Sequence, residues 1–545
     1  MVTRGVRWLP PVLVGVVAFA AARLALLPGV GFWDTAELQA VAPLLGTAHP
    51  TGFPTYILLG WVANQLLAPF GEPAFRMNLF AAISVAVAAA VTVDLVRALT
   101  RSASLAVMAG VGLALTEIAW SIGTHADAHA LHLALLAILF RGLVAWEDRV
   151  KPDGRVLGDP ALTDDGRGRK RGDRFLVASA VVFGLAVGNH SVSLLLAPGI
   201  ALFVLTVDPR IFRRPRLIAA CAGALAVTVV LVFLELPLRA GPFRAPMVYG
   251  APDTWDGFWY IALAEQFRES VAGPLLDLPA KVGDLVSRTA ATFGPLAALI
   301  PVAFAGTAVL RPSWALLTGT SALLTCAFAA SYENAQIERY YLGPALMAWT
   351  WLAIFAAGIA MTVGRAVGDE PPKPPDGPEP PESAASPGPP ERRRRALPAP
   401  DPLIALGLAV ALLLPTAFAL PGRLARVDRS HDLAARDWVD RALLVMRPDA
   451  VIVSWWSYST PLWYAQHIEG RRSDLKVVDD RTRLDEGLGD VTDVIDAYLP
   501  TRPVYVIRVD PADLALLERR YVLQFLDGPD ARYLTRVVSR RESAG

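Results

Sequence analysis

The residues most able to do chemistry begin in GFWDTAELQAVAPLLGTAHPTGFP, Gly31 to Pro54. Asp34 and Glu37 stand at i and i+3, a spacing that puts both carboxylates on one helical face. A carboxylate so placed can act as general base toward a hydroxyl. Asp34 can equally cap the helix, with Glu37 completing a capping box, and the two roles are compatible. His49 follows in a turn punctuated by Pro and Gly, where it either bonds locally or meets an anionic substrate group. In SYENAQIERYY (331–341), Arg339 has the guanidinium geometry of a phosphate clamp. Its bland alternative is an ion pair with Glu333 or Glu338, or snorkelling to the membrane interface. Asn189 and His190 occupy a polar turn between two short apolar runs. His125, His129 and His132 share a face with Asp127 nearby; that pattern suits a metal, and it also suits the lining of a water-filled cleft, which is the reading adopted. His125, Asp127, Glu333 and Tyr340 are therefore expected to line the cleft or meet the acceptor.

These residues need elements to position them, and composition names the kind. The 545 residues are 54% hydrophobic with mean hydropathy +0.41, too apolar for a soluble chain. Apolar runs of roughly membrane-spanning length recur. The net charge of +1 says little, but the positions of Lys and Arg mark cytoplasmic loops. By that rule the N-terminus, the loop 147–174, DPRIFRRPR (208–216), Arg311 and the RRRR at 392–395 lie inside. All of them do so only if one run before residue 147 fails to cross. The run 55–70, short and bounded by Pro54 and Pro69, is read as a surface helix. About eleven spans remain, with the N-terminus in and the C-terminus out. The first run is read as a retained helix rather than a cleaved signal peptide. Loops 28–77 and 239–288, the stretch 331–341 and everything after residue 421 then share the outer face. That common location is the main functional clue.

Residues 1–366 are expected to form the membrane module. The stretch 371–400 holds 12 Pro in thirty residues and, within 367–400, reads as an extended cytoplasmic linker. A last span covers 401–420. From 421 to 545, helical and strand patterns alternate, which predicts a small α/β domain on a parallel sheet. It lacks G-x-G-x-x-G, so nucleotide binding is not indicated. Cys221 and Cys326 both lie in apolar runs, which indicates neither a disulfide framework nor a metal site.

The segments WDTAEL, GTAHPTGFPTYILLG and FRMNLFAAI resemble the signature of the DUF2723 family of TMEM260-like protein O-mannosyltransferases. GLAVGNHSVSLLLAPG and the tail ARDWVDRALLVMRPDAVIVSWW resemble later family segments. Where family members commonly carry a Glu-Val-Tyr-like triplet, this chain reads Asp127-Ala128-His129. The resemblance implies a GT-C membrane glycosyltransferase: a polytopic all-α domain whose first outer loop supplies an acidic base and carries surface helices. It implies a polyprenyl-phosphate sugar as donor, mannose at family level, and a protein or glycan hydroxyl as acceptor at the outer face of the cell membrane. On that basis Asp34 and Glu37 are the catalytic pair, and His49, Asn189, His190 and Arg339 the donor-phosphate residues. No cofactor, metal or nucleic-acid partner is expected. The rival class, a transporter or lipid flippase, predicts internal repeats and midplane polar groups, and the sequence has neither. A scaffold or sensor would leave the first-loop acidic motif without a role.

Overall fold

The computed structural model describes residues 7–151, 166–273, 276–333, 336–368, 399–480, 482–526 and 534–541. Much of the 147–174 loop, nearly all of the Pro-rich linker and its RRRR run lie outside these residues. Eight helices, from Pro73–Thr100 to Pro402–Val427, are long and apolar enough to cross a membrane, and three shorter apolar helices, Leu9–Leu24, Ala103–Ala114 and Ser191–Val207, accompany them. These eleven fall on the eleven apolar runs expected to span; among the described residues eight of them are long enough to cross on their own, and the chain is a multi-pass membrane protein. Several start on Pro at their first position, as at Pro73, Pro215, Pro312 and Pro402, where the missing N–H costs nothing. The helix Ala128–Val150 is buried along most of its length and packs between Pro73–Thr100 and Gly166–Asn189. The run at 55–70 forms a 13-residue helix, Pro54–Leu66. At 1.5 Å per residue it is about 20 Å long, short of the roughly 30 Å hydrocarbon core.

The two ends of the bundle differ. One gathers basic groups that tie helix ends together: Arg311 donates to the carbonyl of Leu99, Lys151 to that of Thr206, and Arg141 pairs with Asp94. The other end carries the Asp34 loop and the C-terminal domain.

That domain holds five strands: β1 (Val451–Ser454), β2 (Lys476–Asp479), β3 (Val504–Ile507), β4 (Tyr521–Phe525) and β5 (Leu534–Arg540). Their order in the sheet is β2-β1-β3-β5-β4. Here the expected parallel sheet is corrected. β1 pairs in parallel with β2 and β3, but β5 runs antiparallel to both β3 and β4. The first three strands are joined through helices that cross back over the sheet, which enforces parallel pairing. β4 and β5 follow one another with no such crossover, and neighbouring strands so joined pair antiparallel. The first helix of the domain, Ala434–Val445, and the helix Trp456–His467 bury Trp438, Leu443 and Leu462 against β1 and β3.

Candidate active site

Asp34 lies in the first turn of the helix Trp33–Leu44, whose N-cap is Phe32 with no side-chain cap. The expected capping box does not form, because the helix starts one residue before Asp34. Packing explains the early start. Phe32 sits edge-on to Trp438 and Tyr458 of the C-terminal domain, with ring centroids 6.4 and 5.4 Å apart, and Trp33 sits edge-on to Trp455 at 6.4 Å. Trp33 takes a left-handed backbone, φ +60°. For a bulky residue this costs on the order of 1–3 kcal/mol and persists only where surroundings enforce it.

Behind the helix a polar knot fixes the loop. Gln39 accepts the N–H of Gly31 (2.9 Å) and donates to Asn78 (2.8 Å), and Asn78 in turn accepts the N–H of Ala126 (2.8 Å). Both side chains are fully buried. Two loops distant in sequence, 29–31 and 124–127, are thereby held side by side. The HPTGFP turn needs Gly52 for two reasons: its φ is +78°, and a Cβ there would meet Ile261 at 2.9 Å.

Asp34 and Asp127 face one cation. Arg339 donates through Nη2 to Asp34 Oδ2 and through Nη1 to Asp127 Oδ2, each at 3.4 Å. Its Nε is buried with no hydrogen-bond partner among the described residues, a donor left for something else. Trp456 Nε1 donates to the other oxygen of Asp34 at 3.1 Å. Burial alone would push the Asp34 carboxyl up, but the charges of His49 and Arg339 and the Trp456 hydrogen bond outweigh it and hold the group below the ordinary carboxylate range. Asp127, opposed in the same way by burial, is held far lower by Arg339 and His129. It also caps the helix Ala128–Val150 through the N–H of His129, at 2.7 Å.

A cavity of about 200 Å³ brings together Asp34, His49, Asp127, His190, Arg339 and Tyr340. Glu37 is not in it. Its side chain is 2% exposed, and both oxygens bind His49, one accepting the backbone N–H at 2.8 Å and the other meeting Nδ1 at 2.5 Å. His190 Nδ1 accepts the N–H of Val192, and its Nε2 lies 3.5 Å from the Tyr340 hydroxyl. Burial, with His129 and His132 beside it, lowers His190 well below the ordinary imidazole range, so it presents a neutral ring at neutral pH. Asn189 stands behind the wall, donating to the carbonyl of Ala128 at 2.9 Å. Glu333 is exposed, its backbone N–H bound to Ser270, and it does not line this cavity. Among the described residues no group of three or more His, Cys, Asp or Glu is arranged to hold a metal ion.

His125 lines a neighbouring cavity of about 440 Å³, into which Arg288, Arg339, Arg426 and Arg429 converge. Burial and Arg429 push the His125 imidazole down to about 4. This cavity shares Arg288, Thr292 and Tyr341 with an apolar groove of about 550 Å³ walled by Phe293, Ile300, Phe304 and Trp351. An arginine-lined chamber thus joins a lipid-compatible groove on one side and, through Arg339, the Asp34 cavity on the other.

Sequence reasoning missed Trp456. The signal was present in VIVSWWSYST: Trp456 opens a helix immediately after the carboxyl end of a parallel strand, the place where such sheets put functional groups.

The fold is of the GT-C type. The structure superposes on ArnT from Cupriavidus metallidurans bound to undecaprenyl phosphate with TM-score 0.59, at 15% identity and covering 97% of each chain. On the Archaeoglobus fulgidus oligosaccharyltransferase tethered with an acceptor peptide the TM-score is 0.55, at 13% identity, covering 94% of this chain and 72% of that one. Residues 34–210 match the family described as Protein O-mannosyl-transferase TMEM260 N-terminal domain. The mouse Protein O-mannosyl-transferase TMEM260 is 25% identical over 268 residues, 48% of this chain and 33% of the relative. The chain therefore spans about a third of that relative's length over the match.

Proposed function

We propose that the chain is a membrane glycosyltransferase that moves a hexose, mannose on the relative's name, from a polyprenyl-phosphate carrier to a protein hydroxyl. The observation that carries this reading is Arg339. It bridges Asp34 and Asp127, keeps one buried donor unpaired, and stands where the arginine-lined chamber meets the Asp34 cavity. ArnT, of the same fold, is solved with undecaprenyl phosphate bound, which supports a lipid phosphate as a ligand here.

In this reading the carrier's hydrocarbon lies in the apolar groove and its phosphate among the arginines. The acceptor oxygen attacks the sugar's C1 as its proton passes to Asp34. The bond from C1 to the phosphate oxygen breaks, its electron pair stays on the phosphate, and Arg339 stabilises that charge. Asp34 is ionised at neutral pH, as a base must be; the lowered pKa makes it a weaker base, so its position facing the cavity, not its basicity, suits it to the role. Glu37 positions His49. Arg339 supplies the positive charge nearest the leaving group, while Arg288 and Arg426 in the chamber wall are paired with Glu338 and Glu117. With the basic helix ends inside, the site and C-terminal domain lie at the outer face of the cell membrane.

The test is transfer of radiolabelled mannose from polyprenyl-phosphate mannose to a threonine-containing peptide by the full-length protein in vesicles. Transfer by the wild type and its loss in Asp34→Asn is the expected result. A wild type that neither transfers nor hydrolyses any polyprenyl-phosphate hexose overturns the reading.

A further inference from the structure

A separate cavity of about 520 Å³ lies on the Glu37 side of the helix Trp33–Leu44. It has three walls: that helix through Glu37 and Val41, the segment 246–251, and the C-terminal domain through Trp463, Val477 and Glu486. One of these walls carries a strand edge. β2, which supplies Val477, is an edge strand of the sheet. The segment 247–249 is pinned by Thr47, whose N–H donates to the carbonyl of Met247 at 3.1 Å and whose hydroxyl accepts the N–H of Tyr249 at 2.6 Å. Between them stand Tyr260 and Trp463, with Arg244 and Glu486 adding opposite charges.

From this geometry we propose that the cavity binds an extended segment of acceptor polypeptide and delivers its hydroxyl toward Asp34. An edge strand offers main-chain pairing to a peptide, and the rings lining the cavity hold its side chains. A branched glycan has no use for strand edges. The partition between this cavity and that of Asp34 is thin. It consists of the Glu37–His49 pair and Trp456, whose ring lies 5.7 Å from His49, 6.0 Å from Tyr249 and 5.7 Å from Trp463. Trp456 therefore touches Asp34 on one side and, on the other, Tyr249 and Trp463, which line the cavity. The proposal rests on the glycosyltransferase reading above.

The experiment uses the full-length protein in vesicles, polyprenyl-phosphate mannose, and a synthetic threonine-containing peptide. Trp463→Ala and Tyr260→Ala are expected to raise KM for the peptide at least tenfold while KM for the lipid donor stays within twofold. A thiol introduced by Thr482→Cys, on the same wall, is expected to be protected from a maleimide by the peptide and not by mannose oligosaccharides. Active variants with unchanged peptide KM overturn the assignment, as does an equal rise in donor KM. Protection by the oligosaccharide instead assigns the cavity to a glycan and overturns it too. A wild type inert toward the donor removes the underlying reading and this one with it.

Discussion

Asp34 and Glu37 stand three residues apart on one helix and live in different chemical worlds. Asp34 faces a cavity with its side chain 30% exposed, and both of its partners, Arg339 and Trp456, come from other parts of the chain. Glu37 stands in the wall of the other cavity, only 2% exposed, with both oxygens held by His49 of its own loop. A group that must accept a proton from a substrate needs room and an oxygen that can change partner. A group that shapes a loop needs neither. On the proposed reading, environment alone gives the two carboxylates two roles.

The comparison can be broken in order of expected effect. Asp34→Asn removes the base and should slow transfer by about 10²–10⁴-fold, with protein levels and thermal unfolding unchanged; a smaller loss than in Glu37→Gln would reverse the roles. Arg339→Ala should lower kcat by about 10²–10³-fold, the size of losing a preorganised charge at a developing anion. It should also move the acid limb of the pH–rate profile upward. The sign follows from the balance at Asp34: burial raises its pKa and Arg339 lowers it, so without the cation a higher pH is needed to ionise the base. An unmoved limb would detach Arg339 from Asp34. Trp456→Phe keeps the ring and deletes the N–H; the loss of one hydrogen bond to a charged group, about 1.5 kcal/mol or more, predicts roughly a tenfold slower rate. The same acid limb should rise, by less. Glu37→Gln should cost about 1 kcal/mol of stability, seen in thermal unfolding in detergent, and only a few-fold in rate. A large rate loss at unchanged stability would give Glu37 a direct part in catalysis.

The sequence carried the carboxylate spacing, the membrane class and the separate short helix at Pro54–Leu66, because each depends on local pattern. It could not carry the start of the Asp34 helix. Phe32 and Trp33 are drawn into aromatic packing with residues more than 400 positions away, and that tertiary pull overrode the local capping signal. β1, β2 and β3 were legible as short apolar runs. β4 was not, since most of its residues are exposed, and β5 ends in exposed residues around Arg540. The Arg339 bridge was legible only in part: the guanidinium was visible, but its second carboxylate, Asp127, comes from 212 residues away.

The left-handed Trp33 has a consequence for how the protein comes into being. The contact that holds it, with Trp455, and the hydrogen bond that orients Asp34, from Trp456, both arrive late in the chain. A ribosome therefore finishes the membrane bundle well before it supplies the residues that set the geometry of the base. Nascent chains halted before residue 455 should insert their helices and transfer no sugar, which stalled translation into membrane vesicles can measure. On the proposed reading the protein is silent until the ribosome has passed Trp456.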